Sequence, residues 1–319
     1  MLGRVLTAVL WEAARRAAES APAWILRQAV WQTAKPYPLV PYPGWRFGVE
    51  ERLLADEHFR MRLALWNILR RRPHSDARLP WHHGLVLATR LGNALNHALY
   101  VGGAFEPNEF AYLETRLRPG MVFVDAGANE GIYTLFAAKK VGPQGRVVAI
   151  EPSVRERALL EANIALNRLG NVRVDGVALG EAHGTVELRL AEAAHAGQNT
   201  LGSFIYQGVR ESALATVPMV TLDELLDGAP RVDFIKLDVE GAELRVLRGA
   251  LATLARCKPE LLIEVSPEAL RRQSGSREEV FDLLRGLGYR LAGFDPRSGL
   301  PSTEEACLLA SDNVLATAS

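Results

Sequence analysis

Two acids and a glycine turn between them are the first residues in this chain with types and spacing that could do chemistry. The stretch FVDAGANEGIYTLFAAK (123–139) ends an apolar run at Asp125, turns through Ala126–Gly131 and enters a helical pattern. Gly127 and Gly131 let the backbone approach a ligand and let the next helix begin tightly. A second apolar run, RVVAIEP, ends at Glu151, twenty-six residues beyond Asp125. An acid at that place accepts hydrogen bonds from a ribose diol.

What is missing narrows the nucleotide. A dinucleotide site sets its pyrophosphate on the helix N-terminus behind G-x-G-x-x-G. Here the turn reads D-A-G-A-N-E-G, so Asp125 and Glu130 put two negative charges where a pyrophosphate would lie. No G-K-[ST] follows, which excludes a Walker turn. The same charges suit a ligand bearing an ammonium or a sulfonium. S-adenosylmethionine has both, with a ribose and no phosphate. The electrostatics therefore favours it over a nicotinamide dinucleotide, and a nicotinamide-dependent oxidoreductase becomes the rival reading.

The elements that must position these residues follow from hydrophobic period. MVFVDAG, RVVAIEP, VRVDGVAL, VDFIKLD, ELLIEVS and YRLAGF read as strands. Between them GIYTLFAAKKVG, SVRERALLEANIALNRLG, GAELRVLRGALATLARC and SREEVFDLLRGLG read as helices. Alternation of this kind implies an α/β fold: a parallel sheet with helices on both faces. Ligands bind outside the carboxyl ends of such strands.

DAGANEGIYTLFAA, IEPSVRERALLEANIALN, ALGEAHGTVEL, GQNTLGSF, VTLDELL, DFIKLDVEGAELRVLRGA and KPELLIEV occur in an order and spacing that resembles the FkbM family of methyltransferases. The likeness runs from GGAFEPNEF (102–110) to LGYRL (287–291). It implies a Rossmann-like class I methyltransferase fold, a seven-stranded, mostly parallel sheet with an antiparallel last strand. It also implies O-methylation of a sugar, glycolipid or specialised metabolite. By the same resemblance Asp125, Gly127 and Asn129 face the methionine end of the cofactor, Glu151 holds the ribose, and Val177 and Ala178 line the adenine. Such proteins often carry histidine after the fifth-strand EV, where this chain has Ser266.

Methyl transfer asks for positioning and a way to make the hydroxyl nucleophilic. Asp238 and Glu240 follow the fourth strand and Glu264 lies near the end of the fifth. These strands are neighbours in the implied topology, so the carboxylates can converge. They can serve as a general base, or Asp238 and Glu264 can hold Mg²⁺ that acidifies the hydroxyl. A non-catalytic scaffold that only binds S-adenosylmethionine is the remaining alternative. Glu243 reads as a helix cap, and Asn163 and Asn167 as structural contacts one turn apart. Between the third and fourth strands, residues 181–220 form an expected antiparallel insertion over the rim, with His195 and Asn199 as its candidate acceptor-binding groups.

The remaining sequence bounds partners and compartment. Lys plus Arg and Asp plus Glu are 37 each, so net charge gives no reason to expect nucleic acid. Cys257 and Cys307 have no metal-ligand spacing and fit a reducing compartment. No uncharged apolar run reaches the length of a spanning helix, and VLTAVLW lacks the features of a secretion signal, so a cytoplasmic protein is expected. All six tryptophans fall within residues 1–81, and residues 1–78 hold thirteen Lys or Arg against seven Asp or Glu. We read 1–80 as an N-terminal helical extension and 81–319 as the methyltransferase domain. Within the extension, 1–34 and 50–72 read as helices and 36–48 as a linker broken by Pro38, Pro41 and Pro43. Its first helix is expected to be a cap, or a docking element for a membrane surface or a partner.

Overall fold

The computed structural model describes residues 21–44, 58–72, 76–204 and 208–318. They fall into two compact units, Met1–Pro38 with Arg46–Phe105, and Leu39–Trp45 with Glu106–Ser319. Residues 81–105, expected with the larger domain, thus belong to the first unit. The expected helix over 1–34 is described from Ala23 to Thr33, and that over 50–72 from Phe59 to Leu69; their N-terminal parts lie outside the described residues.

In the first unit these two helices join an antiparallel hairpin of β1 (Asp76–Pro80) and β2 (Val86–Arg90). Leu26, Val30, Leu65, Leu69, Leu79 and Leu87 are buried. Arg62 is fully buried too, and its guanidinium donates to the carbonyls of Val101 at 3.3 Å and Thr33 at 3.4 Å. Thr33 ends the first helix, so the cation also meets the negative end of that helix dipole.

The second unit carries the sheet. β3 (Val122–Ala126), β4 (Arg146–Ile150), β5 (Val172–Asp175), β9 (Phe234–Leu237) and β10 (Glu260–Glu264) are mutually parallel, in the spatial order β5-β4-β3-β9-β10. The last strand, β13 (Asn313–Ala318), inserts antiparallel between β10 and β11 (Tyr289–Phe294). Buried runs such as VFVDA and FIKL form here because helices cover both faces of a parallel sheet. The expected seven strands are present, and a two-residue β12 (Pro301–Ser302) adds an eighth at the edge against β11.

Two expected elements are broken, each at a glycine whose missing Cβ leaves room for a neighbour: the Arg157 guanidinium at Gly176 and the Gly180 carbonyl at Gly249. VRVDGVAL divides after Asp175: β6 (Ala178–Leu179) leaves the main sheet and pairs with β8 (Glu211–Val220). β8 also pairs antiparallel with β7 (Gly184–Ala191), so the insertion is a separate three-stranded sheet. The segment GAELRVLRGALATLARC forms two helices, Glu243–Arg248 and Leu251–Cys257. A side chain at Gly249 would come within 2.1 Å of the Gly180 carbonyl. The second helix is then capped by Asp223, whose carboxylate accepts from Ala252 N at 2.9 Å and Thr253 N at 2.7 Å. Among the described residues no helix is long and apolar enough to cross a membrane.

Candidate active site

The glycine turn is held by the strands on either side of it. Gly127 N and Ala128 N both donate to the Ile150 carbonyl at 3.0 Å, tying the turn to the end of β4. Gly127 has φ +83°, and a Cβ there would stand 1.7 Å from the Asp238 carbonyl. Only glycine fits this close pass of β3 over the end of β9. Gly131, at φ +95°, opens the helix Ile132–Val141 and leaves room for Leu160. Asn129 adopts φ +49°, a left-handed conformation that asparagine tolerates.

Asp125 is fully buried at the end of β3. Its Oδ2 accepts from Thr134 Oγ1 at 2.6 Å, while Oδ1 has no hydrogen-bond partner among the described residues. Burial pushes its carboxyl up, against the pull of Lys236 and Thr134. The side-chain oxygen of Asn129 is likewise buried without a donor. Two buried acceptors lacking donors beside a glycine turn fit a ligand that brings an ammonium.

Glu151 is buried at the end of β4, where its oxygens accept from Asn129 N at 2.9 Å and Ser153 N at 2.8 Å. Burial pushes it up to about 7, opposed by those two backbone donors. A carboxylate offers about four lone-pair directions, so two remain for other donors. Val177 is half-buried against the main core, and Ala178 packs with Leu188 and Val217 of the insertion.

Asp238, Glu240 and Glu264 come together as the sequence reading expects. One oxygen from each lies within 4.8 Å of the others, and all three side chains are half-buried. Burial first, then the charges of Asp238 and Glu243, raises Glu240 well above the ordinary carboxyl range. Glu264 is raised by burial and then by Asp238, Glu240 and Glu243. Among the described residues no hydrogen bond reaches either glutamate's carboxylate. Glu240 sits at φ +53° in the turn after β9, and its carbonyl accepts from Gln273 Nε2 at 2.8 Å and Thr200 Oγ1 at 3.0 Å. Glu243 caps that turn through Val239 N at 2.9 Å and Gly241 N at 3.1 Å, and Ser266 caps the helix Pro267–Arg272.

The structure adds a cation that a search for acids passes over. Lys236 is buried, places Nζ 2.7 Å from Asp238 Oδ2, and lies 4.8 Å over the Tyr133 ring. It is also the register partner of Asp125 across β3 and β9. Burial alone would lower its pKa; Asp238, Asp125 and Glu106 outweigh that and raise it. A lysine two residues before Asp238 in an apolar strand shares its face, which is the signal FIKLD offered. Glu106 and Glu109 complete the buried charge behind it. Glu106 accepts from Tyr133, and Asn313 Nδ2 donates to both, at 3.0 and 3.1 Å. Burial, then the Glu106 charge, pushes Glu109 up to about 8.

The two insertion candidates differ. Asn199 Oδ1 accepts from Ala191 N at 2.9 Å and Arg155 Nη2 at 3.4 Å, so it closes the insertion's own turn. His195 is partly exposed, with Nε2 4.0 Å from Glu192 Oε1. Neither is in contact with the carboxylate cluster in the hydrogen bonds and ion pairs of the described residues. The residue of this segment that reaches the Glu240 turn is Thr200.

A parallel sheet with one antiparallel strand between its fifth and sixth members, and acids at the ends of the first, second, fourth and fifth, defines a Rossmann-like class I methyltransferase domain. Residues 125–291 match the Methyltransferase FkbM domain. The chain belongs to that family of S-adenosylmethionine-dependent methyltransferases. It is 32% identical over 194 residues to Methyltransferase sdnD of Sordaria araneosa, covering 52% of this chain and 72% of that protein. It is 29% identical over 210 residues to the AMB antimetabolite synthetase AmbE of Pseudomonas aeruginosa; that match covers 55% of this chain and only 10% of AmbE. The solved Methyltransferase FkbM from Methylobacillus flagellatus is 16% identical with a TM-score of 0.40, over 85% of this chain and 57% of that one.

Proposed function

We propose that this chain is an O-methyltransferase that moves the methyl group of S-adenosylmethionine to a hydroxyl of a sugar, glycolipid or specialised metabolite. The observation that carries the reading is the convergence of Asp238, Glu240 and Glu264 to within 4.8 Å at the ends of β9 and β10. The glycine turn that accepts the cofactor touches the same place, through Gly127 against Asp238. Asp125 and Asn129 take the ammonium of the methionine end, and Glu151 takes the ribose. Val177 and Ala178 are assigned to the adenine, and His195 with Asn199 to the rim of the acceptor pocket.

The acceptor oxygen attacks the methyl carbon in line with the sulfur. The carbon–sulfur bond breaks with its electron pair left on sulfur, and the hydroxyl proton passes to the Glu240–Glu264 pair. These two glutamates are suited to it, because burial and the neighbouring carboxylates, Asp238 and Glu243 foremost, raise their proton affinity. Asp238 is held by Lys236 and orients the cluster.

A second reading rests on the same three oxygens. Three carboxylates at this spacing are a donor set for a hard dication, and Asp238 with Glu264 would hold Mg²⁺, which would supply Lewis-acid activation of the hydroxyl. Lys236 already occupies one Asp238 oxygen and sets a positive charge against such an ion. We therefore favour the carboxylate base. The test is methyl transfer from labelled S-adenosylmethionine to sugar, glycolipid and polyketide acceptors, with Glu264→Gln and EDTA-dialysed protein alongside. Transfer that survives EDTA and fails in the variant supports the base. Transfer abolished by EDTA and restored by Mg²⁺ supports the metal. A scaffold role is supported if wild type binds cofactor and no acceptor is methylated.

A further inference from the structure

The first helix of the smaller unit has a face that its own core does not use. Leu26, Val30 and Thr33 turn inward and are buried. Trp24, Ile25 and Trp31 remain 69%, 41% and 39% exposed. Trp24 and Trp31 are seven residues apart, two turns of helix, and so stack along one side. An isolated exposed tryptophan is ordinary; two aligned on one helical face, beside an exposed isoleucine, are not.

The smaller unit that carries this face is basic overall. Residues 1–38 and 46–105 hold fourteen Lys or Arg against seven Asp or Glu, and among the described residues of this unit Asp76 is the single acid. Asp76 lies 4.0 Å from Arg27 and 3.4 Å from Arg90, and Arg62 is buried. Arg60 and Arg71 are exposed on or just after the second helix. The chain as a whole is neutral, so the rest of it carries the compensating excess of acids. Indole rings favour the boundary between apolar and wet layers, and Lys or Arg near an anionic lipid surface is drawn to it.

We propose that the Trp24–Trp31 face of the smaller unit is a docking surface for an anionic lipid bilayer. The tryptophans insert at headgroup depth, and the exposed Arg60 and Arg71 of the same unit meet the lipid phosphates. The helix lies in the interface plane and does not cross it, which its 11 residues could not do. This surface operates whether or not the transferase reading holds, since lipid binding needs no cofactor. If that reading does hold, docking brings the enzyme to acceptors that are themselves lipids.

The test is co-sedimentation of the full chain with vesicles of phosphatidylglycerol and phosphatidylcholine, and with vesicles of phosphatidylcholine alone. Trp24→Ala/Trp31→Ala and Arg60→Glu/Arg71→Glu alter only exposed side chains, and far-ultraviolet circular dichroism checks that each double variant is folded. The wild type is expected in the pellet with anionic vesicles at low salt, with partitioning reduced about tenfold by either double variant, by neutral lipid or by high salt. Absence of sedimentation, or sedimentation that the tryptophan variant leaves unchanged, overturns the proposal. So does binding of a single-stranded oligonucleotide in preference to the anionic vesicles.

Discussion

Asp125 and Lys236 are register partners across β3 and β9, and the lysine ammonium continues from that pairing to Asp238, 2.7 Å away. One buried cation thus links the acid assigned to the cofactor with the carboxylate cluster assigned to the chemistry. Breaking such a pair by removing one member leaves a buried charge without compensation. Lys236→Met is expected to lower stability by about 3–5 kcal/mol in urea unfolding, if it folds at all. Lys236→Arg, which retains the charge, should recover part of that loss.

Gly127 makes a sharper steric prediction. A methyl group there meets the Asp238 carbonyl at 1.7 Å, in a conformation that disfavours any Cβ. Gly127→Ala should cost about 3 kcal/mol or more and remove S-adenosylhomocysteine binding by calorimetry. Gly170→Ala, where a Cβ meets nothing within 4 Å and φ is ordinary, should leave binding unchanged.

The buried acids give a pH dependence with a definite sign. Burial pushes Glu109 up to about 8, and Glu151 and Glu243 to about 7, from an ordinary 4.5. Between these values the folded chain holds protons that the unfolded chain has released, so stability falls as pH rises. The cofactor-free protein should therefore melt several degrees lower at pH 8 than at pH 5. Glu109→Gln should flatten the upper part of that curve.

Cofactor binding should run the opposite way. Ribose hydroxyls donate to the ionised form of Glu151, whose carboxyl lies near 7 in the free protein. S-adenosylhomocysteine affinity is expected to rise about tenfold between pH 6 and pH 8, with proton release. In Glu151→Gln both the rise and the proton release should disappear, which calorimetry in buffers of different ionisation enthalpy would detect.

Much of this architecture was legible in the sequence because it depends on local signals. Asp125, Gly127, Gly131 and Glu151 announce a turn between two buried strands, and strand spacing brings Asp238 and Glu264 to the same end of the sheet. What was not legible depends on close approach between distant segments. In GAELRVLRGALATLARC a lone glycine is a weak local sign of the break at Gly249, whereas the Gly180 carbonyl that excludes a side chain there comes from a distant segment. Loop polarity was the only guide to Asn199 as an acceptor-pocket group, and its oxygen's bond to the Ala191 amide joins residues eight apart that no local pattern pairs. Lys236 was passed over as a lysine in a strand, since its value comes from Asp125, Glu106 and Tyr133, which no spacing rule connects to it. The boundary near residue 80 followed the tryptophans and the charge, yet β1 and β2 belong with the helices before them.

The most direct test of the central claim separates cofactor binding from methyl transfer in one variant. Single-turnover transfer of the labelled methyl group is measured for wild type and Glu264→Gln on an acceptor that the wild type methylates, together with S-adenosylhomocysteine affinity for both. The account predicts affinities within about threefold and a transfer rate at least about a hundredfold lower in the variant, the scale of a lost general base. Equal transfer rates in the two proteins would contradict it, and would remove the carboxylate cluster from the chemistry.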